Sequence, residues 1–304
     1  AHVVKPMKPR GHMGKTIRFE SQADYQNFLR NFCSTHPLSK LHSTGQAIVN
    51  YAQAEYDFSS EIYALLKAKR LVEAEALAQL PVLEDLHTIT DPALTELDDS
   101  ELNQVSRCFY ESSSTFLTIY HRFMDEVVAP LVGEPIYFQK TPTVRFQFPN
   151  QKGYNWVERL HTDIMLGHPS EGYNIWVPLT TVFGTNSMLL VPVKESMTAY
   201  RSCNFDFEIL AQRVQYDNDF IEAMRRSAAP VELAPGQFIA FDPRCLHGTQ
   251  YNDTLLTRIS IDARVLAVET YKNMKRQYRG TGRRQLPFVP GQYFDSDPVG
   301  CYLI

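Results

Sequence analysis

The chain has 304 residues, 44% hydrophobic and 21% charged, enough to bury a substantial core in one elaborated domain. A net charge of -4 and a pI near 6.2 exclude a dominant phosphate-binding surface, so nucleic acid is not an expected partner. No apolar run approaches the roughly 18 residues of a membrane span, and no charged-then-apolar leader opens the sequence, which reads as cytoplasmic. Five scattered cysteines, Cys33, Cys108, Cys203, Cys245 and Cys301, form no C-x-x-C pair. Reduced, buried thiols are expected, rather than a disulfide framework or a structural zinc site.

Residues 1–12 are basic and lack apolar periodicity, and read as an expression remnant. Residues 13–304 are expected to form one domain in three parts. The first, 13–132, reads as a mainly helical scaffold. Ser21 is placed to cap a helix whose Tyr25, Phe28, Leu29 and Phe32 share a face. A second helical block covers about 59–80, rich in Ala, Leu, Glu and Lys. A third covers about 99–128 and is expected to stop before Pro130.

The second part, 133–270, changes character. The run 143–148 alternates polar and apolar residues, as a strand with one buried face does. Further strands are predicted at 173–180, 187–193, 237–241 and 258–266, with turn signals at Gly153, Gly167, Pro235-Gly236 and Asn252-Asp253. Many short strands suggest a sandwich or barrel, so the fold class is α+β with a mainly β core and flanking N-terminal helices. Residues 200–229 read as a helical or irregular insertion near the barrel mouth. From about Tyr271 to the end, a basic, turn-rich tail is expected to pack on the core.

The chemistry concentrates in four places. His161 and Asp163, two apart, point to one side of an extended strand and can grip a metal. His247, just beyond the strand 237–241, can supply a third ligand. Two imidazoles and one carboxylate hold iron(II) on one face and leave three positions open. A bidentate 2-oxo acid fits two, and oxygen the third. The far carboxylate of that co-substrate needs a cation, and Arg258 offers a guanidinium fork, with Ser260 adding a hydroxyl on the same face. Arg258, Ser260, Asp262 and Arg264 alternate strictly with aliphatic residues, so four polar groups share one side.

These residues, His161-x-Asp163, His247 and Arg258-x-Ser260, resemble the signature of the iron(II)/2-oxoglutarate-dependent oxygenases over about 137–266. The resemblance implies a double-stranded β-helix, a cupin-like jelly roll. It also implies a reaction that couples decarboxylation of 2-oxoglutarate to succinate with oxidation of an unactivated C–H bond. Tyr173-Asn174-Ile175-Trp176-Val177-Pro178-Leu179-Thr180, then Gly184-Thr185-Asn186-Ser187-Met188, resembles oxygenases of the streptomycin-biosynthesis and sporadic carbohydrate-cluster type, and relatives acting on free amino acids. Halogenating members carry Gly or Ala where Asp163 stands. The carboxylate here favours hydroxylation, desaturation or ring closure.

The expected substrate is a small polar metabolite, such as an amino acid, a sugar or a natural-product intermediate, bearing an anionic group that Arg145 or Arg264 meets. Asn174 is a candidate for the co-substrate, and Trp176 for substrate contact or packing. His168, between Gly167 and Pro169, is the competing metal ligand. Tyr137, Gln139, Thr185 and Asn186 are further candidates to line the site. The basic set Lys272, Lys275, Arg276, Arg279, Arg283 and Arg284 reads as solvated surface, or as an attractor for an anionic substrate. Two rival functions keep the barrel: a cupin-type metal enzyme without 2-oxoglutarate, and a metal-free binding module. Arg258 argues against the first, which needs no carboxylate anchor there.

Overall fold

Ser21 caps the first helix as expected, its Oγ accepting the Asp24 N–H at 3.1 Å. In this computed structural model, residues 16–98, 102–111, 113–151, 160–281 and 285–304 are described. The expected remnant at 1–12, the turn at Gly153, and Arg283 and Arg284 lie outside them. Helix α1 (Gln22–Phe32) buries Phe28 and Phe32, with Tyr25 and Leu29 partly covered.

After α2 (Pro37–Leu41), the segment expected to be helical instead contributes a strand, β1 (Gln46–Asn50). Its Ala-Ile-Val run is too short to show a period, and pairing with a strand nearly 190 residues later decides its conformation. The second helical block is split. Helix α3 (Phe58–Ala68) ends before Arg70, whose φ is +52°, and α4 (Ala74–Gln79) follows. Helices α5 (Pro92–Thr95), α6 (Gln104–Cys108), α7 (Ser114–Phe123) and α8 (Ala129–Val132) complete the scaffold.

Pro130 does not end the third block. Between α7 and α8, Met124–Val128 forms a π-turn in which the Ala129 N–H donates to the Met124 carbonyl. The wider turn lets the helix pass the proline, which lacks an N–H, and run on to Gly133 at φ +84°.

Five predicted strands are present as β3 (Thr143–Gln147), β4 (Tyr173–Pro178), β5 (Met188–Leu190), β7 (Gln237–Phe241) and β9 (Arg258–Ala267). Three short ones were not legible: β2 (Ile136–Phe138), β6 (Ala229–Pro230) and β8 (His247–Thr249). The insertion is helical, comprising α9 (Val193–Ser202), α10 (Phe207–Tyr216) and α11 (Asn218–Ser227). Strands β1, β7, β4, β9 and β2 lie in that order in one sheet, with β3 also on β9. A second sheet has the order β6, β5, β8. Every pairing among the described strands is antiparallel.

The larger sheet is two-faced. Val144, Phe146, Ile175, Val177, Ile259, Ile261 and Ala263 form one core with Ile62, Leu66, Phe116 and Phe123 of the helices. The opposite face carries Arg258, Ser260, Asp262 and Arg264, registered against Asn174 and Trp176 of β4 and against Arg145 and Gln147 of β3. The alternation read from sequence is therefore the division between helix-packed core and site.

Beyond α12 (Val268–Asn273), the C-terminal stretch packs on the core through buried Tyr278, Phe288 and Phe294. The Thr281 N–H donates to the Leu166 carbonyl at 2.9 Å. Arg276 pairs with Asp24, Lys272 with Glu269, and Arg279 donates to the Gln285 carbonyl, so these basic residues are engaged locally. All five cysteines are free; Cys203 and Cys245 are buried, whereas Cys33 and Cys301 are exposed, contrary to the buried expectation. No helix among the described residues is long and apolar enough to cross a membrane.

Where the C-terminal stretch crosses the loop after Asp163, Gly167 sits at φ +93°, and a Cβ there would strike the Arg279 carbonyl. Gly167→Ala is expected to lower stability by at least about 1 kcal/mol from the left-handed conformation alone. A drop in urea midpoint at unchanged m-value checks this.

Candidate metal centre and anion pocket

His161 and His247 face each other across an antiparallel bridge. The His161 N–H donates to the His247 carbonyl at 2.8 Å, and the His247 N–H returns the bond at 2.9 Å. Directly opposed residues project to the same side, and the two rings stand 4.6 Å apart. Asp163 does not continue an extended strand, as the two-residue spacing suggested. It opens a 3₁₀ turn, Asp163–Leu166, that still brings its carboxylate alongside. Ligand atoms of His161, Asp163 and His247 all lie within 4.8 Å of one another.

His247 and Asp163 are oriented from behind. His247 Nδ1 lies 3.0 Å from the Cys245 carbonyl. A carbonyl only accepts, so Nδ1 carries the proton and Nε2 presents its lone pair to the centre. Asp163 Oδ2 accepts Asn174 Nδ2 at 2.8 Å and Arg264 Nε at 2.9 Å. Oδ1 is the oxygen turned to His247 Nε2, 3.7 Å away. Burial opposes charge on Asp163, but the Arg264 guanidinium outweighs it and holds the carboxyl well below its usual range. Burial likewise opposes charge on Arg264, and the Asp163 carboxylate reverses that, raising its pKa. The donor set thus fits a divalent metal, with imidazole nitrogens, an ionised carboxylate, and partners behind His247 and Asp163 that fix their orientation.

Arg258 begins β9 and is 2% exposed. Its Nη1 donates to the Asn186 carbonyl at 3.3 Å, and its guanidinium lies 5.7 Å from the Trp176 ring. No described carboxylate forms an ion pair with it, and its Nε has no partner. Burial pushes its pKa down to about 10. Ser260 Oγ, Gln147 Oε1 and Asn186 Nδ2 are also buried without partners. A buried guanidinium with its Nε unpartnered and a buried hydroxyl without a partner, on one strand face, are prepared for an anion.

Asn174 and Arg264 both donate to Asp163 Oδ2. Arg145 donates to Asp262 at 2.7 Å. Trp176 packs beneath Arg258. His168 lies outside the three-ligand cluster; its ring packs 4.2 Å from Phe288, and burial lowers its pKa to about 4. Tyr137 packs on Tyr271, and Gln139 bonds Tyr293 and the Thr141 carbonyl. Thr185 bonds Asp253 in a plain turn. Sequence reading missed the orienting role of the Cys245 carbonyl, because a backbone acceptor leaves no signature.

The sequence model of the phytanoyl-CoA dioxygenase (PhyH) family matches residues 29–260. The chain belongs to this family. It is thereby an iron(II)- and 2-oxoglutarate-dependent dioxygenase, an oxidoreductase that uses iron and 2-oxoglutarate. This PhyH-family chain is similar to a streptomycin biosynthesis protein, StrG of Streptomyces griseus, at 26% identity over 254 residues, covering 82% of the chain and all of StrG. Among solved structures, the carbocyclase SnoK from nogalamycin biosynthesis has a TM-score of 0.48 at 13% identity, covering 88% of this chain and 97% of SnoK. EctD from S. alaskensis, with 2-oxoglutarate and 5-hydroxyectoine, has a TM-score of 0.46 at 16% identity, covering 92% of this chain and 86% of EctD.

In this PhyH-family site, Asn174→Ala removes one of two donors on Asp163 Oδ2. Affinity for Co(II) or Ni(II) is expected to fall about 10–100-fold, whereas His247→Ala abolishes stoichiometric binding. Metal titration of purified variants reads both.

Proposed function

We propose that residues 13–304 work in the cytoplasm as one oxygenase domain, the two antiparallel sheets forming the layers of a double-stranded β-helix. The enzyme oxidises an unactivated C–H bond of a small polar metabolite, consuming 2-oxoglutarate and oxygen and releasing succinate and CO2. The similarity to a streptomycin biosynthesis protein supports a natural-product or sugar-like metabolite. The retained Asp163 carboxylate supports hydroxylation, desaturation or ring closure over halide transfer.

His161, Asp163 through Oδ1 and His247 through Nε2 would hold the iron, which supplies oxygen activation coupled to oxidative decarboxylation of 2-oxoglutarate. Arg264 and Asn174 keep Oδ2 occupied, so Asp163 would offer a metal its Oδ1. Arg258 and Ser260 would receive the distal carboxylate of 2-oxoglutarate, with Trp176 as the floor beneath the guanidinium. The observation that carries the reading is the buried Arg258 and Ser260 pair, with Nε and Oγ unpartnered, on the strand face that also supplies Arg264 to the metal ligand.

Arg258→Ala would leave a buried anion unpaired, a loss of about 2–5 kcal/mol, which corresponds to roughly a 30-fold or greater rise in the 2-oxoglutarate dissociation constant. Arg258→Lys keeps charge but loses the fork and is expected to fall between. Titrating 2-oxoglutarate into the iron(II) protein and following its visible charge-transfer band measures this. Unchanged affinity in Arg258→Ala would sink the assignment, as would the absence of iron-dependent succinate formation across a broad substrate panel.

A further inference from the structure

One charged pair on the site-facing side of the sheet is used neither by the metal ligands nor by the co-substrate anchor. Arg145 of β3 donates through Nε to Asp262 Oδ2 at 2.7 Å. Asp262 stands between Ser260 and Arg264 on β9, and Arg145 is in register with Ser260. Along β9, Asp262 therefore lies between Ser260 of the anion pocket and Arg264, the partner of Asp163, with Arg145 reaching it from the neighbouring strand.

Exposure separates this pair from its neighbours. The Arg258 and Asp163 residues are 2% and 1% exposed, but the side chains of Asp262, Arg264 and Arg145 are 15%, 21% and 44% exposed. Solvent thus reaches the pair and Arg264 while the anion pocket stays closed. Both Arg145 Nη groups and Asp262 Oδ1 have no partner among the described residues. Each member keeps an unused edge, and the pair itself is neutral.

We propose that Arg145 and Asp262 form the substrate's recognition subsite and that the substrate is a zwitterion, with a protonated amine on Asp262 Oδ1 and an anionic group on the Nη edge of Arg145. This deepens the oxygenase reading and rests on it. A substrate of one charge would face its like across the pair; a molecule carrying both signs completes a closed arrangement of four charges without breaking the existing bond. The other charges are committed already, Arg264 to Asp163 and Arg258 to the co-substrate. The preformed pair also spares the ordering cost of two long side chains on binding.

The test uses full-length protein loaded with Ni(II) and 2-oxoglutarate. Free amino acids, including ω-amino homologues, are compared by calorimetry with their N-acetyl and carboxamide derivatives and with aminocyclitols. The expected result is that at least one zwitterion binds and that either derivatisation weakens binding by more than about tenfold. Asp262→Asn is expected to erase the preference against N-acetylation, and Arg145→Met the preference against the carboxamide. A structural inter-strand pair would lower stability without moving either preference. The iron(II)–2-oxoglutarate band of both variants should match wild type. Binding only of amines without an acid, only of acids, or of no zwitterion by protein that retains the band would overturn the proposal and leave the oxygenase reading standing. Loss of the band in wild type would overturn both.

Discussion

A carboxylate buried to 1% exposure has to be paired, and the way Asp163 is paired governs the site. Its Oδ2 is held by Asn174 and Arg264, which are directly opposed across β4 and β9. The donors are thus delivered by strand register. A slip of one residue in either strand would turn its side chain toward the helical core and strip Asp163 of one of its two partners. The ordering of a sheet and the coordination available to a metal are one constraint here. Removing one partner of such a buried pair is far more costly than the pair is worth in isolation, which ties the metal site to the integrity of the sheet.

The same face distributes its charge in a definite order along β9. Arg264 is neutralised by Asp163 and Asp262 by Arg145, whereas Arg258 is buried with no acidic partner among the described residues. A lone buried guanidinium is the expensive member of that row, its pKa already pushed down by burial. The scaffold tolerates it because the opposite face is continuously apolar and packed against α3 and α7. Stability is concentrated on one side of the sheet, and the unsatisfied groups needed for binding on the other.

Much of this arrangement was legible in the chain. Strict alternation through Arg258–Arg264 revealed which side chains share a face, and His161-x-Asp163 with His247 pointed to three side chains that the fold does bring together. What alternation cannot show is the partner. Arg145 and Arg264 look equivalent in sequence, yet one meets Asp262 and the other Asp163, because the outcome depends on how β3 and β4 flank β9. Strands of two to five residues, such as β1, β2, β6 and β8, are too short to display a period and are set by distant pairing. Pro130 misled for a local reason, since the π-turn before it accommodates the missing donor.

The N-terminal helices also do more than fill space behind the sheet. Arg244 and Asp242 form a buried ion pair in the turn that leads to His247. Arg244 Nη1 also donates to the Phe32 and Ser34 carbonyls at 3.0 and 2.8 Å, at the end of α1. The Asp242 N–H donates to the Gly45 carbonyl just before β1, and the Cys245 N–H to the Asp242 carbonyl. Cys245 in turn provides the carbonyl that fixes the His247 tautomer. The turn bearing His247 is therefore fastened to Phe32, Ser34 and Gly45 by a chain of buried polar contacts. Its rigidity comes from their mutual satisfaction, since a half-satisfied network at this depth would be worse than an apolar one. The candidate metal donors occupy 161–247, but the geometry of the last of them is set by contacts with Phe32, Ser34 and Gly45.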